Sequence, residues 1–277
     1  MEKVYYANGK YLDFSRFYIM GILNLTPDSF SDGGRYVSLE SQIQQFNNLV
    51  EAGAQIIDIG GQSTRPYAQR ISPKEEWSRV EPFLNWFKNQ CNCKVLLSVD
   101  TFYPEIAEKA LAYGVNIIND VLCEQSEEMF KLCKKFKAVY VLTHAKGNPT
   151  NMQDNPTYQE VIFEIYQFFL EKINQANSLG FFDIIIDPGI GFGKKIEHNY
   201  QILQNIELFN HLNFPILVGI SRKSLLTKFF GETWQNLVPI QEMLHFELIQ
   251  KTVNILRVHE PIYLKKFFQI LNKINSK

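Results

Sequence analysis

Seven of the eight short apolar runs in this 277-residue chain lead directly into side chains that can bind, orient or carry charge. Tyr18 to Leu23 leads to Asn24, Val95 to Val99 to Asp100, Val115 to Ile118 to Asn119-Asp120, and Ala138 to Leu142 to Thr143-His144. Ile184 to Ile186 leads to Asp187, Ile216 to Gly219 to Ser221-Arg222-Lys223, and Ile255 to Val258 delivers Arg257-Val258-His259. Asp and Asn after a strand are also ordinary turn formers and helix caps. Long cationic side chains are not, which singles out Lys223 and Arg257, and with them His259. Together the set matches a flat, hydrogen-bond-rich ring. Asp100, Asn119 and Asp187 can pair with an N–H and exocyclic-amine edge, Lys223 can donate to a ring carbonyl, and Arg257 can stack on the ring face. That is a pterin or guanine pattern. Asp58, inside the run Ile56-Ile57-Asp58-Ile59, is assigned a buried structural hydrogen-bonding role and is left out of the site.

Two loops add an anion-binding signal. Thr26-Pro27-Asp28-Ser29-Phe30-Ser31-Asp32-Gly33-Gly34 follows the first run, and Gly60-Gly61-Gln62-Ser63-Thr64-Arg65-Pro66 follows the second. Their backbone amides and hydroxyls can approach an anion, and Arg65, Arg257 and His259 on one face can hold a diphosphate. Neither loop is a Walker A loop or a G-x-G-x-x-G fingerprint, so nucleotide binding is not indicated.

Positioning so many strand ends at one place calls for a closed sheet. The runs are continuous rather than alternating, and helix-length segments separate them, the pattern of parallel strands covered by helices. Eight such units imply a (β/α)8 TIM barrel, whose chemistry sits at the carboxyl ends of the strands. The clearest helix is expected to start at Asn155-Pro156, with Val161, Ile162, Ile165, Phe168, Phe169 and Ile173 at helical spacing and a stop near Gly180. Asn8-Gly9, between Val4-Tyr5-Tyr6 and Tyr11-Leu12, predicts a type I′ hairpin, so residues 1–17 read as an N-terminal β-hairpin extension of a single domain spanning 1–277. A doubly wound open sheet is the competing architecture, because strand order is not written in one sequence.

Composition narrows the partners. Twenty-eight Lys and Arg against 29 Asp and Glu leave a net charge of −1, without the basic excess of a nucleic-acid binder. Forty-five per cent hydrophobic residues suffice for a packed core, yet no run approaches the roughly 18 apolar residues of a membrane span. Cys91, Cys93, Cys123 and Cys133 form no C-x-x-C pair and are read as reduced packing thiols. The expectation is a cytoplasmic protein acting on small molecules.

The stretch Ile19-Met20-Gly21-Ile22-Leu23-Asn24-Leu25-Thr26-Pro27-Asp28-Ser29-Phe30-Ser31-Asp32-Gly33-Gly34 closely resembles the opening signature of the dihydropteroate synthases. Gly60 to Pro66, Ser98 to Thr101, Ile117 to Asp120, Asp187 to Lys194, Ser221 to Ser224 and Arg257 to His259 follow in that family's order, so the resemblance covers residues 18 to 260. It implies the same barrel and the condensation of 6-hydroxymethyl-7,8-dihydropterin diphosphate with 4-aminobenzoate in folate synthesis, on an enzyme of the sulfonamide-target class. Carried over position by position, Asp100, Asn119, Asp187 and Lys223 hold the pterin edge while Arg257 covers the ring. Asn24, Arg65, Arg257 and His259 serve the diphosphate, with Mg2+ near Asn24 and Asp32. Phe30, Thr64, Pro66, Lys223 and Ser224 form the aminobenzoate pocket, and Asp100, Lys223 and Arg257 carry the catalytic weight. A homodimer is also implied.

The chain departs from the family pattern at Gln62 (usually Glu), Thr143 (commonly Met) and Glu260 (usually Asp). The larger departure is residues 235 to 252, bulky here, where relatives carry Gly-Ser/Thr and a small-residue helix. That stretch puts the dimer in question and is the only support for a non-catalytic paralogue. A pterin-binding methyltransferase is the other alternative, against which both loops speak, since it has no diphosphate to hold.

Overall fold

The structure, a computed structural model, describes residues 3–26, 38–63, 67–147 and 150–275. It opens with the hairpin β1 (Val4–Ala7) and β2 (Lys10–Asp13), paired antiparallel with Ala7 opposite Lys10. Asn8 (φ 44°) and Gly9 (φ 92°) both occupy the positive-φ region that a type I′ turn needs.

Eight parallel strands follow: β3 (Tyr18–Asn24), β4 (Ile56–Gly60), β5 (Leu96–Asp100), β6 (Ile117–Asp120), β7 (Val139–Thr143), β8 (Ile184–Asp187), β9 (Leu217–Val218) and β10 (Ile255–Val258). They are ordered β8-β7-β6-β5-β4-β3-β10-β9, and an Ile186–Ile216 bridge joins the two ends into a barrel. The open-sheet alternative is thereby excluded.

Outside lie α1 (Leu39–Glu51), α2 (Pro73–Gln90), α3 (Pro104–Ala112), α4 (Ser126–Phe136), α5 (Val161–Ser178), α6 (Ile196–Gln204), α7 (Ser224–Phe230), α8 (Val238–Gln250) and α9 (Ile262–Asn275). Ser38 and Ser72 cap the starts of α1 and α2, accepting from the Ser41 and Glu75 N–H groups at 3.2 Å each. The outward strand residues pack with these helices into one continuous layer that includes Leu23, Phe46, Ile57, Phe83, Phe130 and Phe169.

The helix expected from Asn155-Pro156 begins later, at Val161. Asn155 is left-handed (φ 49°), which removes it as a cap. Residues 156–160 run instead across the barrel top, where the Tyr158 hydroxyl donates to Gly193 O at 2.9 Å. Glu164 reaches back to accept the Gln159 and Glu160 N–H groups at 2.7 and 3.3 Å, and so sets the true start. The end falls as expected, with Gly180 at φ 68° just past α5.

The barrel interior divides into two halves. Side chains on a strand alternate between faces. Tyr18 and Met20 of β3, Ile56 of β4, Leu96 of β5, Ile117 of β6, Val139 of β7, Ile185 of β8 and Ile255 of β10 form an apolar floor with Tyr5, Ala7 and Leu12 of the hairpin. Two residues further along, the same inward rows turn polar: Asp58, Ser98, Asn119, Asp187 and Arg257. The hairpin thus plugs the amino-terminal end. It is fixed by Tyr5 Oη donating to Ile184 O (3.0 Å), Asn116 Nδ2 donating to Ala7 O (2.8 Å) and Asn8 Nδ2 donating to Val115 O (3.0 Å). All four cysteines are free thiols, Cys123 and Cys133 buried and the other two half-buried. Among the described residues no helix is long and apolar enough to cross a membrane.

Leu12 is fully buried under the barrel floor. Leu12→Ala is expected to destabilise the fold by about 2–5 kcal/mol through lost burial and a cavity. Urea unfolding would report it as a lower midpoint at unchanged slope, with catalytic constants near native because the mouth is at the opposite end.

Candidate active site

Asp58 is the centre of the barrel mouth. Fully buried on β4, it accepts from Ser98 Oγ at 2.6 Å, from Asn119 Nδ2 at 2.9 Å and from Arg257 Nε at 2.7 Å. The expectation of a buried hydrogen-bonding role was right, but its exclusion from the site was not. Through one carboxylate it fixes two of the residues assigned to ligand binding. The sequence signal was there: Asp58 shares the inward row of β4 with Ile56, in register with Ser98.

Arg257 reaches from β10 across the mouth, its Nη2 donating to Asp100 Oδ2 at 3.0 Å. Burial works against its charge, but Asp58 and Asp100 together outweigh that and hold its affinity for the proton above the ordinary arginine value. Asp100 is in the reverse position. Burial pushes its carboxyl up to about 8, with Asp58, Glu76 and Asp120 adding like-charge repulsion against the pull of Arg257. Its second oxygen, Oδ1, is buried without a hydrogen-bond partner.

Asp187, at the end of β8, is also raised by burial, which exceeds the pull of Lys223 and of the Gly189 N–H donating to its Oδ1 at 2.8 Å. Lys223 completes the ring of polar groups. Its Nζ donates to Ile190 O and sits 4.5 Å from the centre of the Phe192 ring. Burial lowers it to about 8, with Asp187 and Asp100 acting against that and Arg257 with it. Gly219 lies between the two cations, and a Cβ there would lie 3.6 Å from Arg257 Cβ and 3.9 Å from Lys223 Nζ, ordinary contact distances.

The loop after β8 is held by Lys194, whose buried Nζ donates to His144 O (3.0 Å), Gly189 O (2.9 Å) and Phe192 O (3.1 Å) and lies 3.0 Å from His144 Nδ1. Burial drives both Lys194 and His144 well below their ordinary values; the nearby Lys194 ammonium lowers His144 further, while Lys194 is lowered further by Lys223 and held up in part by Asp187. Gly189 (φ +71°) has no substitute, because a Cβ would meet the His144 carbonyl oxygen at 1.9 Å. Lys194 lay within a quoted motif but was given no role. Its type is unremarkable in sequence, and only the fold shows that it is buried.

At the rim, Asn24 ends β3, and Ser221 Oγ lies 3.0 Å from His259 Nδ1. Ser224 is exposed as the first residue of α7. Phe30, Asp32, Thr64, Arg65 and Pro66 lie outside the described residues. The foot of the second loop is described: Arg79 Nη1 donates to Gly61 O at 3.0 Å, and Gln62 Nε2 donates to buried Glu76 Oε2 at 2.5 Å. Gln62 Oε1 and Glu76 Oε1 are both buried without a partner, and a proton on the acid would give one of them a donor. Burial pushes Glu76 up to about 7 against the hydrogen bonds from Thr101 and Gln62. Asn24, Asn119, Asp100, Asp187, Lys223, Arg257 and His259 all stand at the carboxyl ends of the barrel strands or just beyond, as expected.

Against known proteins, the profile of the family described as pterin binding enzyme matches residues 20–259. The dihydropteroate synthase of Haemophilus influenzae is 38% identical over 257 residues, 92% of this chain and 93% of that protein. The chain belongs to the dihydropteroate synthase family of pterin-binding enzymes. Among solved members, the Yersinia pestis dihydropteroate synthase in a sulfonamide drug complex superposes with a TM-score of 0.90 at 35% identity, covering 99% of this chain and 100% of that one. The Xanthomonas albilineans dihydropteroate synthase with 4-aminobenzoic acid gives 0.90 at 33% identity and full coverage of both. The family match runs from β3 to the residue after β10, so it contains every strand of the barrel and leaves the hairpin and α9 outside.

Glu76 gives a pH prediction. A carboxyl raised from 4.5 to about 7 on folding stabilises the fold fully below 4.5 and loses that contribution as pH rises through 7. Glu76→Gln, which preserves a partner for Gln62, should flatten the fall in melting temperature between those pH values. A variant whose pH–stability curve parallels the native one would show that the proton is not held there.

Proposed function

We propose that the chain is a dihydropteroate synthase, joining 6-hydroxymethyl-7,8-dihydropterin diphosphate to 4-aminobenzoate with release of pyrophosphate. One observation carries the reading. At the barrel mouth a carboxyl group with one unpartnered oxygen (Asp100 Oδ1), an amide (Asn119), a second carboxyl group (Asp187) and an ammonium (Lys223) surround a guanidinium (Arg257). Those groups complement, in order, the N–H and amine edge, the carbonyl and the face of a pterin.

Asn119 is held by Asp58 through its Nδ2, which leaves its carbonyl oxygen to accept from the ring. Arg257 lies against the ring and, with His259 and Arg65, steadies the diphosphate. The arylamine enters over Phe30, Thr64, Pro66, Lys223 and Ser224; 4-aminobenzoate as the arylamine is supported by the Xanthomonas albilineans relative, which was solved with 4-aminobenzoic acid. In the reaction the bond from the exocyclic methylene carbon to the diphosphate oxygen breaks, the arylamine nitrogen bonds to that carbon, and one amine proton is released. Asp100 and Asp187 offset positive charge spreading into the ring, a preorganised field that needs no nucleophile.

Asn24 fits a hard cation. Its Oδ1, a neutral amide oxygen at the end of β3, lies beside Gly60 of β4, 3.7 Å from where a Cβ on that residue would sit. Mg2+ typically takes one or two protein oxygens, its other ligands being phosphate oxygens and water, so Asn24 with Asp32 is a sufficient donor set. When bound there it supplies charge neutralisation to the departing diphosphate.

A homodimer is part of the proposal. An apolar groove of about 600 Å3 lies between α8 and α9, lined by Val238, Pro239, Phe246, Tyr263, Leu264 and Phe267. Met243 and Ile270 on the same two helices are 67% and 61% exposed. Apolar surface of this extent favours a partner. Sedimentation equilibrium should give a dimer mass, and Phe246→Lys with Ile270→Lys should return the monomer.

Activity is tested by supplying purified protein with pterin diphosphate, Mg2+ and 4-aminobenzoate and assaying pyrophosphate. Release should require the arylamine, and a sulfonamide should compete with it. Asp100→Asn and Lys223→Ala should each lower kcat/KM by about 100-fold or more, the size of losing a preorganised electrostatic contact. Unchanged turnover in either variant would remove that residue from the mechanism.

A further inference from the structure

The turn that delivers Lys223 is unusual. Ile220 O accepts from the Lys223 N–H at 3.1 Å, closing the four-residue turn Ile220–Ser221–Arg222–Lys223. Its third residue, Arg222, has φ +57°. In that left-handed region a Cβ crowds the backbone, and turns of this kind normally place glycine or asparagine there. An arginine stays left-handed only where its surroundings hold it.

Three groups from separate parts of the chain hold it. Gln241 Oε1, on α8, accepts from the Arg222 backbone N–H at 2.9 Å. The Trp234 ring lies 3.8 Å from the Arg222 guanidinium carbon, and Glu260 Oε1, just after β10, accepts from its Nη2 at 3.0 Å. Gln241 is buried and its amide is oriented, because its Nε2 donates to Glu242 Oε1 at 3.2 Å and so turns the carbonyl toward the turn. Glu242 is itself 3.2 Å from the buried His245 ring, which extends the connection one turn further down α8. Gln241 belongs to the 235–252 stretch in which this chain departs from its family's small-residue pattern, and Trp234 immediately precedes it.

We propose that Gln241, with Trp234 and Glu260, is a positioning residue for Lys223: the three clamp Arg222 in its left-handed conformation and so set where the Lys223 ammonium meets the substrate ring. The inference rests on the reading of Lys223 as a pterin contact. Lys223 leaves the clamped turn directly, and its side chain ends on Ile190 O and beside Phe192. A rotation of the turn therefore moves the ammonium off the ring edge, and displacements of about 1 Å at such contacts are costly to rate.

The test is Gln241→Leu, which keeps the bulk and removes the acceptor. Reductive methylation followed by peptide mass spectrometry reads Lys223 without substrate or turnover, with buried Lys194 as the internal control for general loosening. The expected result is Lys223 labelling about tenfold faster with Lys194 still protected, and KM for pterin diphosphate raised about tenfold while kcat moves by less than about threefold. Adding Arg222→Gly should restore both, because glycine adopts φ +57° unaided. Lys223 labelling and KM within about twofold of native, or failure of Arg222→Gly to restore them, would overturn the proposal. If Gln241→Leu does not fold, Trp234→Leu takes its place, with a labelling increase of about threefold supporting the clamp and no increase sinking it. Should the native protein form no dihydropteroate while the labelling responds as expected, the enzymatic reading falls and the clamp stands.

Discussion

A guanidinium buried between two carboxylates, Arg257 between Asp58 and Asp100, is the constraint that organises the barrel mouth. Burying either sign alone would cost several kcal/mol, so the members of the trio are mutually necessary. The trio also leaves a deliberate imbalance. Asp58, Asp100 and Asp187 stand with Arg257 and Lys223, and burial, with the neighbouring acids adding to it, raises Asp100, one of whose oxygens has no hydrogen-bond partner. A site with one acceptor too many is matched to a ligand that brings N–H donors and gains positive charge as it reacts.

The barrel makes that imbalance tolerable by separating its two halves. Below the polar row every inward residue is apolar, and the hairpin closes the floor, so the charged groups sit in a low-dielectric wall on one side and open to ligand on the other. The strands themselves need no help from the polar row to form, since their outward faces and their lower inward residues carry the packing. This division explains how a mouth with several buried ionisable groups coexists with a stable fold.

Most of this was legible in the sequence because parallel barrel strands are buried on both faces and therefore read as unbroken apolar runs whose ends can be inspected. All eight runs became barrel strands, and Asp100, Asn119, Asp187, Lys223 and Arg257 stand together at the mouth, whereas Asp120 turns to Tyr140 of the outer layer. What failed did so for identifiable reasons. The start of α5 was misplaced because Asn155-Pro156 is a good cap by type, whereas the chain there is committed to reaching Gly193 through Tyr158. Asp58 was set aside because one sequence shows that a residue is inside a strand but not that its neighbour across the barrel is an arginine 199 positions away. The contacts around Arg222 come from Trp234 in the connection between α7 and α8, from α8 and from beyond β10, so no local pattern announces them.

The plugged floor also governs traffic. With Tyr5, Ala7 and Leu12 packed under the floor, the amino-terminal end of the barrel is filled, and the polar row lies toward the carboxyl end. Which end of the barrel a ligand can use is thus set by two short hairpin strands at the opposite end of the molecule.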